Sequence, residues 1–137
     1  MAAWRNVGSH HYYIDGDTVF WRMIGIMDEL HIEQLLAAVD SVLVRCQYSV
    51  LLVDCSQASG LKAEARRLYG EWLKHNPYPR RASIFFSASG EMRTFLLLAQ
   101  RAGQLISGQR SAIEIVDGES AAWRHADELR AAWIGQL

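Results

Sequence analysis

The chain has 137 residues, of which 50% are apolar and 21% charged, and a formal net charge of -1. That length suits one domain whose core needs neither metal nor disulfide staples, and the composition excludes a disordered chain. The small net charge, with Arg66-Arg67 and Arg80-Arg81 as the tight basic pairs, excludes the broad positive field that draws proteins to nucleic acid.

No apolar run approaches the roughly 18 residues of a membrane span, and residues 1–6 lack the apolar segment of a secretion signal. Cys46 and Cys55 are the only cysteines and lack CxxC spacing, so they read as reduced thiols rather than a redox or zinc site. The expectation is a cytoplasmic protein with no membrane insertion, metal or cofactor.

In chain order, residues 10–15 and 18–25 are rich in aromatic and β-branched side chains, and Asp15-Gly16-Asp17 between them is hairpin chemistry. In the second of these strands Val19, Trp21 and Met23 alternate with Phe20, Arg22 and Ile24, which leaves open which set faces a helix. Asp28 is placed to cap a helix running to about Arg45, with Leu35, Leu36, Val39, Val42 and Leu43 as its apolar stripe. Residues 50–53 are continuously apolar, the pattern of a central parallel strand buried on both faces.

A polar loop is expected over residues 56–60, followed by a helix with Leu61, Ala65, Leu68, Tyr69 and Trp72 on one stripe. Asn76-Pro77-Tyr78-Pro79 stops that helix, because proline lacks an amide proton and restricts the residue before it. A strand over 82–86, a helix from about Glu91 to Ile106 with Gly108 as its stop, a strand over 112–116 and a last helix carrying Ala122, Trp123, Ala126, Leu129 and Trp133 complete the chain. The fold class is α/β: an N-terminal β-hairpin, then alternating helices and strands, giving a mixed, mostly parallel five-stranded sheet packed by about four helices. It forms one domain over 1–137 with a core of about 10–134.

The order of elements, with Asp54-Cys55-Ser56-Gln57-Ala58-Ser59-Gly60-Leu61, Glu64-Ala65-Arg66-Arg67 and Ala121-Ala122-Trp123, resembles the SpoIIAA-like branch of the STAS domain superfamily. The resemblance implies a noncatalytic regulatory domain that binds a protein partner, with a serine in a Ser-Gly-Leu context phosphorylated by a kinase. Ser59-Gly60-Leu61 matches that context, and the interaction loop then comprises Asp54, Ser56, Ser59, Gly60, Arg66 and Arg67. The sequence departs from the pattern in having Gln57-Ala58, without an aspartate, directly before the serine. Two readings of Ser59 stay open: a phosphate switch, or a plain N-cap for the following helix.

An alternative in a related branch is a Sec14-like binder of a lipid or other apolar molecule, its pocket lined by Trp21, Tyr69, Trp72 and Phe86. Such a set also serves as ordinary core. A homodimer through Trp4, Tyr12 and Tyr13 is a further possibility.

Other constellations argue against catalysis. His10 and His11 are adjacent in a strand and point to opposite faces, so they read as a surface pair rather than ligands of one ion. His125 and Glu128 sit one helical turn apart as an ion pair. Cys55 reads as a buried structural thiol, Ser87-Ala88-Ser89-Gly90 is neither GxGxxG nor a P-loop, and Asp54 is expected to join Glu64, Arg66 and Arg67 in a structural ion pair.

Overall fold

In the computed structural model the chain is described over residues 2–107 and 113–135, with backbone alone over 103–107. The expected helix stop at Gly108 and strand start at Ala112 lie outside the described residues. The elements are β1 (Arg5–Val7), β2 (His10–Asp15), β3 (Thr18–Met27), α1 (Glu29–Cys46), β4 (Ser49–Leu61), α2 (Ala63–His75), β5 (Arg81–Phe86), α3 (Gly90–Ser107), β6 (Ile113–Val116) and α4 (Glu119–Ile134). They form one six-stranded sheet in the order β1-β2-β3-β4-β5-β6.

The first three strands are antiparallel and the remaining neighbours parallel. The opening hairpin closes at Asp15↔Thr18 around Gly16, whose φ of 59° is a left-handed conformation that favours glycine. The expected five strands become six because β1 precedes that hairpin. Its signal was the tight Gly8-Ser9 turn, with Gly8 at φ 60°, that pairs Val7 with His10. A three-residue exposed strand carries too little apolar alternation to announce itself.

The parallel strands run in sequence order across the sheet, so right-handed crossovers put α1, α2 and α3 on the same face. α4 follows the last strand and packs on the other. The two cores match this division. Trp21, Met23, Leu43, Leu51, Val53 and Leu96 belong to the first, and Phe20, Leu52, Ile84, Phe86, Ala122 and Ala126 to the second. The open question of facing in β3 is thereby answered: Val19, Trp21 and Met23 lie in the α1 core, and Phe20 in the α4 core. Each wholly buried side chain of this kind, such as Leu52, contributes roughly 1.5–3 kcal/mol relative to an exposed one.

α1 begins with the expected cap. The Asp28 carboxylate accepts from the His31 N–H at 3.0 Å, and His31 Nδ1 accepts from the Asp28 N–H in return, which satisfies two amides that the first turn cannot pair internally.

The main departure lies in β4. The loop expected over residues 56–60 is strand, because β3 also runs on to Met27 and the two pair through Ile24↔Gln57, Gly25↔Ala58, Ile26↔Gly60 and Met27↔Leu61. Two register shifts absorb the unequal lengths. Burial ends at Cys55 while the ladder continues, so the hydrophobic pattern stopped before the strand did.

Candidate functional site at the end of strand β4

Asp54 and Ser56 anchor the point where β4 leaves the core. The Asp54 carboxylate accepts from the Ser56 N–H at 2.9 Å and from Arg22 Nε at 3.3 Å, steadying the bulged backbone. Arg22 in turn stacks over Trp4, its guanidinium carbon 4.9 Å from the ring centroid. The ion pair is half open to solvent on the arginine side, which limits its worth to about 1 kcal/mol or less.

This corrects the expected grouping of Asp54 with Glu64, Arg66 and Arg67. Asp54 points with Arg22 to the α4 side of the sheet, whereas the two arginines belong to α2 on the other side. Alternation along β4 separates them.

Arg66 and Arg67 also differ from each other. Arg67 is closed onto Glu64 through Nε at 2.8 Å, and this hydrogen bond holds the Glu64 carboxyl below its usual range. Arg66 lies 5.5 Å above the Phe95 ring and lines a groove of about 210 Å³ together with Ser59, Gly60, Lys62, Met92 and Phe95. Leu61 and the exposed Ile26 and Glu91 complete its lining.

Ser59 is exposed in the strand and is not the helix cap. The N-cap of α2 is Lys62, which makes no side-chain hydrogen bond to the helix's first amides. Of the two readings of Ser59 left open by the sequence, the capping one is therefore removed. Its physical reason is the added length of β4, which delays the helix to Ala63.

The aromatic residues named for an apolar pocket do not line one cavity. Trp21 and Tyr69 are buried in the core beneath α1 and α2, with Trp72 packed against it, while Phe86 is buried in the α4 core across the sheet. Trp72 spends its indole N–H on Asp40 at 2.8 Å and borders a separate shallow groove between α1 and α2. The buried Tyr69 phenol is pushed up to about 12 by desolvation.

Cys55 is buried, and desolvation, followed by the Asp54 charge, pushes its thiol up to about 12. That is the opposite of the low pKa an activated thiol needs. Among the described residues no group of three histidine, cysteine or acidic side chains is disposed to hold a metal ion, and no helix is long and apolar enough to cross a membrane. His125 does approach Glu128, at 3.7 Å.

His10 is the functional-looking residue that the sequence misplaced. Only His11 belongs to the surface, bonded to Asn6 at 2.6 Å. His10 is wholly buried, with Nδ1 accepting from the Ile24 N–H at 3.0 Å and its ring 4.7 Å from that of His31. Desolvation and then His31 keep its pKa below the ordinary value.

No protein-family model matches the chain, and no curated protein sequence does. Solved structures do. One is the anti-sigma factor antagonist SpoIIAA in its unphosphorylated form, with a TM-score of 0.57, 14% identity, and 95% of this chain and 98% of that one covered. Another is an uncharacterized DUF3478-family protein with a SpoIIAA-like fold from Shewanella loihica PV-4, with a TM-score of 0.54, 14% identity and 90% of each chain covered. At such identity the likeness is one of fold. The chain has the SpoIIAA-like fold.

Proposed function

We propose that this chain is a STAS-type interaction domain without catalytic chemistry, docking a protein partner through the polar end of β4 and the first turns of α2. The residues carrying it are Ser56, Ser59, Gly60, Arg66 and Arg67, with Asp54 holding the strand in shape from behind. Ser59 acts as the switch.

The observation that supports this reading is the situation of Ser59. Its side chain is exposed, lies outside the helix it was free to cap, and borders a groove that also presents Lys62 and Arg66. Phosphorylation there adds about -1.5 to -2 charges beside those cations and reverses the local charge. A partner drawn by the basic rim would then be repelled. The likeness to a protein described as an anti-sigma factor antagonist in its unphosphorylated form accords with such a role.

Photocrosslinking in the producing cells tests the proposal, with a crosslinking side chain at Gln57 and, as control, at the exposed Glu33 of α1. Adducts are expected from Gln57, not from Glu33, and are expected to vanish with Ser59→Glu. Identical adducts from both positions, or adducts indifferent to Ser59→Glu, overturn it.

A further inference from the structure

We infer that the far end of β4 receives an extended, acidic segment of the partner as an added β-strand, lying where β5 no longer runs. The inference rests on the docking reading above and specifies what docks. β5 pairs with β4 only as far as Asp54↔Phe86; the chain then turns at Ser87, with φ 58°, and enters α3 at Gly90. Beyond that point β4 remains extended and paired to β3 along one edge only. Among the described residues no strand pairs its other edge.

An unpaired edge is a template for another strand unless charges, proline or a covering element blunt it. The Ser56 amide is already spent on Asp54, but Gln57, Ala58, Ser59 and Gly60 carry no charge and no proline. The bulges in this stretch bend the strand, and the first turns of α3 stand across the groove from it through Glu91, Met92 and Phe95. The free edge therefore begins at Gln57.

The groove beside this edge decides the chemistry of the occupant. A strand laid along β4 presents alternate side chains to opposite sides, so one set meets the partly buried Phe95, beside the buried Met92, and rewards apolar residues. Lys62 and Arg66 stand at the same groove, whose lining holds one acid, Glu91; the Asp28 carboxylate also lies within electrostatic reach of Lys62, but neither cation is in an ion pair among the described residues. Stacking on Phe95 holds the Arg66 guanidinium at the rim. Main-chain pairing then supplies affinity, and the two cations select acidic segments over basic ones. The outer edge of β1 is a weaker competitor, being three residues long and bearing Arg5 turned over Tyr12.

Selection of displayed random octapeptides on the full chain tests the inference. Enriched peptides are expected to alternate apolar or β-branched residues with glutamate or aspartate. They are expected to lose roughly tenfold in affinity with Arg66→Glu and with Lys62→Glu, and to hold theirs with Arg5→Glu. Amide exchange should slow within residues 57–60 when such a peptide binds, at the amides that point to the edge away from β3. Circular dichroism establishes that each variant is folded.

Basic or helix-spaced peptides, protection at β1 instead, or no enriched peptide at all overturn the added strand. The natural partner's crosslinks report separately on the docking face: if they still map to Gln57, the interaction reading survives the loss of this one. If they map elsewhere, the docking reading falls whatever the peptides do.

Discussion

Ser59 and His10 show how little a residue's name says before its surroundings are known. Ser59 has good capping chemistry, yet an extended strand keeps it short of the helix and leaves its hydroxyl exposed. His10 looks like half of a surface pair, yet the alternation of β2 turns it into the core. Its burial has a consequence for stability. The folded pKa lies below the ordinary 6.5, so the unfolded chain takes up the proton first, and the contribution of His10 is complete above about pH 6.5 and declines as pH falls through the window between the two pKa values. The urea midpoint of the native chain is expected to drop between about pH 7.5 and about pH 5.5, and to drop less in His10→Gln. An equal drop in both would show that other groups carry the acid sensitivity.

At the scale of elements, the helices and buried strands were legible because their signals are local and redundant. The α1 stripe and Asp28 cap are in place, and so is the apolar run of β4. The polar end of β4 was not legible, since its strand character comes from pairing with β3 and not from any apolar alternation of its own. The end of α1 gives an independent check on local backbone energetics. Gln47 caps the helix with φ 70° and donates its N–H to the Leu43 carbonyl at 2.8 Å. A side chain in that conformation is strained, so Gln47→Gly is expected to raise the unfolding free energy by about 0.5–1 kcal/mol. A destabilised variant would mean that the bond from Gln47 Nε2 to the Val44 carbonyl, at 3.3 Å, outweighs the strain.

At the scale of the whole molecule, the monotonic order of the sheet explains both its layers and its site. Three crossovers fill one face, the last helix takes the other, and the unequal lengths of β4 and β5 leave a polar strand end standing beside the starts of α2 and α3. The sequence pointed to that end of the sheet through Asp54, Ser59 and Arg66. It could not show that Asp54 faces away from the other two, because the sidedness depends on a ladder formed with Arg22, far off in the chain. Nor could it tell Arg66 from Arg67, whose difference is set by Phe95 and Glu64.

A partner docking on this face under the control of charge at Ser59 joins all three scales. Calorimetric titration of the crosslinked partner into the native chain and into Ser59→Glu measures this directly. The variant, folded and equally stable, is expected to bind roughly tenfold or more weakly, with the difference shrinking as salt is raised. Equal affinities at low salt would contradict it.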